Sequence, residues 1–402
     1  MPTSLMACRA ASGATMYLRG FLQIGNCCSA HVAMASRVSS PLDHCRQQMP
    51  RLPKNVKMNG RLVVVTPVFF SYWRFAAERQ NIFFRRLAGA NALPLTDDHV
   101  LQSYKFTNSY RASDRVSQFL IRRVIYGDGY DADPRELFFR VLLFKLFNKI
   151  ETWQLLEREI GPLSLSIFEY KRFDKVLTAA MERGARIYSA AYIMPSAGHA
   201  FGKTYKHQNH LKLIELMLRQ KFPERIAGAG SMAEAFQIMQ SAPSIGPFLA
   251  YQFITDLNYS PLTNFSEMEF VVAGPGALDG ISKCFVDGDK LNSTSVIAYM
   301  ADHQETWFDR LEIPFSSLWG RRLQLIDCQN LFCEISKYSR AAFPSVKGVS
   351  GRTRIKQKFS PTGRPPTPWY PPKWGINDRI ESGPDHALGK SDTASAVQYT
   401  LF

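Results

Sequence analysis

Two carboxylates in this chain stand in apolar company. Glu269 lies in Ser266-Glu-Met-Glu-Phe-Val-Val272. Neighbours of that kind would desolvate the carboxylate and raise its pKa into the range useful for acid–base work; a glutamate facing solvent from a loop fits the same residues. Asp327, in Leu325-Ile-Asp-Cys-Gln-Asn-Leu-Phe332, is a lone acid inside an apolar run. Such a group needs buried partners or a task, or a helix start to cap. A third cluster, Tyr104-Lys-Phe-Thr-Asn-Ser-Tyr-Arg111-Ala-Ser-Asp114-Arg115, joins aromatic faces, a forked cation and an acid. Arg111 and Asp114 could help to stack a base or clamp a phosphate, or pair with each other to lock two helices. Lys206-His207-Gln-Asn-His210 sets two imidazoles at i, i+3, with no third ligand in sight, so no metal site is expected.

Pro243-Ser-Ile245-Gly246-Pro-Phe248-Leu-Ala250 lies between an amphipathic segment (Met232 to Met239) and an apolar run (Tyr251 to Leu257). Helix, tight glycine turn, helix is a way to aim backbone N–H groups at one phosphate. Glycine lets bare backbone approach the anion, and the following helix start adds donors and partial positive charge. Ile245 would pack between the helices and Phe248 against a deformed duplex. An ordinary glycine-capped corner is the alternative. The stretch resembles the hairpin of helix-hairpin-helix DNA glycosylases, in which an acid beyond the second helix stabilises developing sugar cation charge. Glu269, 23 residues after Gly246, is the candidate for that role. Bifunctional members carry a nucleophilic lysine where this chain has Phe248, so Schiff-base lyase chemistry is not expected.

The elements that would position these residues read as mainly α. Residues 62–70 form a short β-like run broken by Pro67, and Tyr72 to Leu87 fits a helix. Further helices are expected at His99–Tyr104, Asp114–Ile125, from Asp133-Pro134 to Ile150, and at Ile167–Arg183, His207–Gln220 and Met232–Gln240. Asn292–Phe308 and Leu323–Tyr338 close the core, and Ala273-Gly-Pro-Gly-Ala277 makes a second glycine turn. No fixed-period repeat occurs.

With 402 residues, 46% of them hydrophobic, the chain can bury a large core. Its net charge of +15 is uneven: +6 in residues 1–60, +7 in 345–375, −2 in 376–402 and only +4 in 61–344. The basic flanks, Arg352, Arg354, Lys356 and Lys358 above all, suit a polyanion or serve as solvated tails. The seven cysteines have no C-x-x-C or zinc spacing and suit a reducing compartment. No apolar run reaches the ~18 residues of a membrane span. The acid-poor N-terminus leaves a targeting segment open, or true initiation near Met49 or Met58. No Gly-x-x-x-x-Gly-Lys-Ser/Thr occurs, so no cofactor is expected in this chain itself.

Taken together, several blocks resemble one family: Arg79-Gln-Asn-Ile-Phe83, Tyr104–Arg111, Phe147-Asn-Lys-Ile-Glu-Thr-Trp153, Pro247–Phe253, Asp256-Leu-Asn-Tyr-Ser260, Glu269–Ala277 and Leu325–Phe332. They are similar to the helical domain of 5-hydroxymethyl-deoxyuridine DNA kinases, also described as the α-glutamyl/putrescinyl-thymine pyrophosphorylase-like group. The resemblance spans about residues 70–345. It implies a helix-hairpin-helix glycosylase-like fold with few or no strands and a role in thymine hypermodification. There 5-hydroxymethyluracil in DNA is phosphorylated, and the activated base then takes up an amine or amino acid. It implies DNA as partner, with ATP handled through a separate P-loop kinase or an amino-acid or amine DNA transferase, in a cytoplasmic, nucleoid or nuclear setting. The expected layout is an extension (1–60), a helical DNA-modification domain (61–344), a basic proline-rich segment (345–375) and a mobile tail (376–402). Glu269 and Asp327 are expected to line a base pocket, supported by Arg111 and Asp114. Ile245, Gly246, Phe248 and the four basic residues of 352–358 are expected to hold DNA. The alternatives are a monofunctional glycosylase-like base-excision enzyme and a non-catalytic DNA-specificity subunit.

Overall fold

A computed structural model describes residues 52–381, except 90–93, 128, 130, 191–193, 361–364 and 366. It opens on a β-hairpin, β1 (Asn55–Met58) paired antiparallel with β2 (Arg61–Val64) in the register Asn55↔Val64, Met58↔Arg61. Asn59 and Gly60 both adopt positive φ (48° and 79°), the backbone that a two-residue turn matched to strand twist demands. Val56, Met58 and Val63 are buried. The extension drawn at 1–60 therefore ends too late: the body has already begun by residue 55, while residues 1–51 lie outside those described. Nor does Pro67 interrupt a strand. Thr66 caps α1 (Pro67–Leu87), accepting from the Val68 N–H at 3.2 Å, and Pro67 sits in the first turn, where its missing N–H costs nothing.

The rest is helical, as expected. The elements that matter here are α2 (His99–Ser103), α3 (Arg115–Phe119), α4 (Pro134–Phe147), α5 (Ile150–Ile160), α6 (Tyr170–Glu182), α7 (Gly198–Phe201), α8 (Lys206–Arg219), α9 (Phe222–Ala227), α10 (Met232–Gln240), α11 (Pro247–Leu257), α12 (Pro275–Cys284), α13 (Ser293–Asp302), α14 (Gln304–Arg310) and α15 (Leu325–Ala342). The expected helix at 292–308 breaks at His303 into α13 and α14. The second glycine turn proves to be the start of α12, which packs closely along α15. At Gly280 a Cβ would run into the Phe332 carbonyl. After α3 the chain winds a π turn over Leu120–Ile125, and Arg140 from α4 donates to the Val124 carbonyl at 2.9 Å. Helix α4 is buried nearly all round, which places it at the centre of the core. Aromatic edges knit α1 to α14, with the Phe69 and Trp307 ring centroids 4.9 Å apart.

The basic proline-rich segment is tied to the body where it is described. Lys105 N–H donates to the Gln357 carbonyl and Phe359 N–H to the Ser103 carbonyl. Tyr370 and Ile376 are buried in the body, and α16 (Asn377–Glu381) follows. The mobile tail is thus folded up to 381, and 382–402 fall outside the described residues. Among the described residues no helix is long and apolar enough to cross a membrane.

Candidate nucleic-acid interface and buried acid cluster

Helices α10 and α11 meet at the corner singled out from sequence. Ile245 is buried between them, and Gly246 and Pro247 are exposed. The strained backbone belongs to Ser244 (φ 64°), not to Gly246. Gly246 is the N-cap of α11 in extended geometry (φ −76°, ψ 170°), with Pro247 next. A glycine N-cap offers no side-chain acceptor to the first turn, and no acid stands there. A Cβ on Gly246 would meet nothing within 4 Å, so the fold does not require glycine here. Helix α12 begins the same way, with Gly274 as N-cap and Pro275 after it. Phe248 lies across Gly274, where a Cβ would come to 2.5 Å of the ring. Phe248 is thus a half-buried wedge between two helix starts rather than a side chain free to enter a duplex.

The far end of α11 enters a buried polar cluster. Asp256, fully buried, pairs with the Arg111 guanidinium at 2.7 Å and the Lys145 ammonium at 3.1 Å. Arg111, only 3% exposed, also donates to Gln252 (3.2 Å) and to the Tyr259 hydroxyl (3.1 Å). Burial opposes ionisation of Asp256, but the two cations outweigh it and hold its carboxyl below the ordinary range. Arg111's main-chain N–H donates to Asp327 at 2.8 Å, and the other carboxylate oxygen accepts from Gln324 N–H at 3.0 Å. Both readings of Asp327 therefore meet in one residue: it caps α15 and it is a buried acid. Desolvation pushes its carboxyl up to about 7, resisted by those two backbone donors, with Glu267 adding to the rise and Arg321 opposing it.

Arg111 and Asp327 are brought together; the other two candidate acids are not part of that contact. Asp114 does not pair with Arg111. It accepts from Asn108 N–H at 2.8 Å, and desolvation lifts its carboxyl to about 7. Glu269 is exposed rather than desolvated by its apolar neighbours, and accepts from Met232 N–H at 2.8 Å, so it ties down the start of α10. Its companion Glu267 is the enclosed one, paired at 2.7 Å with Arg321, whose guanidinium lies 3.8 Å over the Trp374 ring. Lys373 donates to the Ser260 and Thr263 carbonyls, and desolvation brings its ammonium down to about 8. Asp256, Lys145 and Glu267 escaped notice in the sequence. Asp256 carries the signal that marked Asp327, a lone charge in an apolar run, whereas Lys145 shares α4 with Arg135, Glu136 and Arg140.

Arg352, Arg354, Lys356 and Lys358 are all exposed, and Lys358 lies 4.3 Å over the Tyr104 ring. Asp279 anchors this strap: it accepts from Ser350 N–H at 2.7 Å and from Ser336, and pairs with Lys283 at 3.2 Å. The two histidines serve separate structural contacts. His207 meets Asp174 at 2.8 Å, and His210 lies between the Tyr188 hydroxyl and the Pro195 carbonyl. Among the described residues no group of three or more His, Cys, Asp or Glu is arranged to hold a metal ion.

Residues 66–348 match the family described as "5-hmdU DNA kinase, helical domain". The chain belongs to this family. A 5-hmdU DNA kinase of Bacillus phage SP10 is 26% identical in an alignment of 288 residues that covers 66% of this chain and 44% of the phage protein. The chain thus spans less than half the length of that relative. No solved structure matches. The matched interval holds the corner, the buried acid cluster and Asp279, the anchor of the basic strap.

Proposed function

We propose that this domain binds DNA and presents a 5-hydroxymethyluracil base for phosphorylation, acting with a P-loop kinase or with an amine or amino-acid transferase that handles ATP or the donor. The observation that carries the reading is the placement of one helix. The N-terminus of α11 is the exposed Gly246 corner, and its C-terminal end carries Asp256, which holds Arg111 against Asp327. A phosphate held at the corner and a base turned toward the acid would then be registered by a single rigid element.

In this reading the corner supplies helix-start charge to the phosphate, and the strap from Arg352 to Lys358 adds contacts that depend on salt but not on sequence. Asp327, titrating near neutral, is suited to accept a proton from a 5-hydroxymethyl group. Arg111 holds it in place through the main chain and is a positioning residue. Reaching the 5-substituent with a buried group requires the base to leave the stack. Glu269 contributes by fixing α10 beside the corner, and Asp114 by ordering the 108–114 turn that delivers Arg111.

Binding measured on matched duplexes that carry 5-hydroxymethyluracil, thymine or uracil tests the proposal. Preference for the hydroxymethyl duplex, with the base left intact, is expected. Abasic sites appearing in any of the duplexes would favour the base-excision alternative, and equal affinity for all three would reject base presentation.

A further inference from the structure

Residues 103–105 and 357–359 run antiparallel as a short ladder. Lys105 N–H donates to the Gln357 carbonyl at 3.1 Å and Phe359 N–H to the Ser103 carbonyl at 3.0 Å, with Tyr104 and Lys358 as the bridged pair between them. Successive side chains of a strand point to opposite faces, and residues directly opposite each other share a face. Lys358 accordingly lies on the side of Tyr104, its ammonium 4.3 Å from the centre of that ring. Ser103, Lys105, Gln357 and Phe359 share the other face, and all four are exposed. Phe359, 36% exposed, is a large apolar ring open to solvent.

This face gathers the contacts that a nucleotide needs. Phe359 offers a flat ring. Lys105 is its diagonal neighbour, about 7–8 Å away along the ladder and within reach of a long side chain, and it brings an ammonium. Gln357, directly across from Lys105, carries both donors and an acceptor. Neither 99–111 nor 345–360 contains an acid. Two carboxylates beside these stretches are engaged elsewhere: Asp98 caps α2 and accepts from the Tyr338 hydroxyl at 2.7 Å, and Glu334 accepts from Thr107 N–H at 3.0 Å and pairs with Lys337 at 2.7 Å. The strap is also held in place. Ile355 packs on the core, and Arg340 donates to the Arg354 carbonyl at 3.3 Å. A ring on an anchored backbone is pre-organised, so stacking on it orders little else.

The geometry points to this face as a binding site for an unstacked base of single-stranded DNA, with Phe359 as the stacking platform, Lys105 on the adjoining phosphate and Gln357 on the base edge. A base inside a duplex is already stacked on both sides, whereas an opened strand offers its π-faces. Every base has such a face, so the site tolerates any sequence. The inference deepens the proposed function and rests on its reading of the strap as a DNA contact: turning a base out of the duplex leaves unpaired nucleotides, and this face holds one of them.

The test is fluorescence anisotropy of the full chain on a labelled oligothymidylate of about 15 nucleotides, within the length one such surface covers, and on a fully paired duplex of equal length. Phe359→Ala should weaken single-strand binding by about 5- to 150-fold, the worth of one stacked base, with an unchanged salt dependence, nearly unchanged duplex affinity and a native melting curve. Phe359→Trp should retain the single-strand affinity. Lys105→Gln should reduce the slope of log affinity against log salt by about 0.7, one phosphate on a single strand. No single-strand binding by the wild type, full single-strand affinity in Phe359→Ala, or an equal loss on duplex and single strand would each overturn the inference. Binding confined to an oligouridylate of the same length would assign the face to RNA and overturn it as well. Duplex binding without single-strand binding would defeat this inference and leave the proposed function standing.

Discussion

Replacing Gly246 by aspartate separates phosphate binding from folding with little ambiguity. Gly246 is an N-cap with φ −76° and ψ 170°, and a Cβ there has nothing within 4 Å. Aspartate is among the preferred N-cap residues and differs from glycine there by only a few tenths of a kcal/mol, so Gly246→Asp should melt at or slightly above the wild-type temperature. The carboxylate would occupy the space assigned to a phosphate. At about 4 Å the repulsion between two unit charges is roughly 1 kcal/mol in water and about 4 kcal/mol at an effective dielectric of ~20, so affinity should fall by about 5-fold to 1,000-fold. Gly246→Ala adds bulk without charge and serves as the control, with a smaller loss. Fluorescence anisotropy on a duplex of about 20 base pairs at fixed salt, with a melting curve for each variant, gives both readings. Native melting with unchanged affinity in Gly246→Asp would refute the assignment of the corner to a phosphate.

Other consequences can be checked independently. Changing Arg352, Arg354, Lys356 and Lys358 together to glutamine should flatten the dependence of log affinity on log salt by about 3–4, given one phosphate per cation, measured by anisotropy across a salt series. Asp256→Ala leaves Arg111 and Lys145 buried beside each other without their anion and should cost about 3–5 kcal/mol in chemical denaturation. Asp327 has a folded-state pKa of about 7, above the ordinary 3.8. The folded state therefore holds a proton that the unfolded chain has lost between those values, and stability falls as pH rises through that window, by on the order of 4 kcal/mol at full ionisation. Asp327→Asn should remove Asp327's share of that fall, leaving the contribution of Asp114, when Tm is followed from pH 5 to pH 8.

Much of the helical body was legible because its faces are periodic, and the corner because Pro243 to Ala250 carries the small vocabulary that tight helical turns allow. The β-hairpin was missed although Asn59-Gly60 is a strong turn signal, since β1 is only four residues long and half polar. Helix α12 was hidden by its own start: Gly274-Pro-Gly276 reads as loop, yet Gly274 is there to make room for Phe248. Composition marked the C-terminal segment only as basic and proline-rich, and its aromatic residues, Tyr370 and Trp374, anchor it in the body. Local sequence cannot say which long-range partner a charge will choose. Arg111 stands three residues from Asp114 and pairs instead with Asp256, 145 residues away, because α11 brings that carboxylate into the core. For the same reason Glu269 and Glu267, two residues apart, have opposite environments.

Backbone hydrogen exchange across residues 243–250, with and without a duplex containing 5-hydroxymethyluracil, tests the central claim most directly. If the start of α11 grips a phosphate, exchange in that stretch should slow by tenfold or more on binding, with slowing also in the strap around residues 352–358. Protection confined to other surfaces, with the corner exchanging at its unbound rate in a saturated complex, would contradict the account.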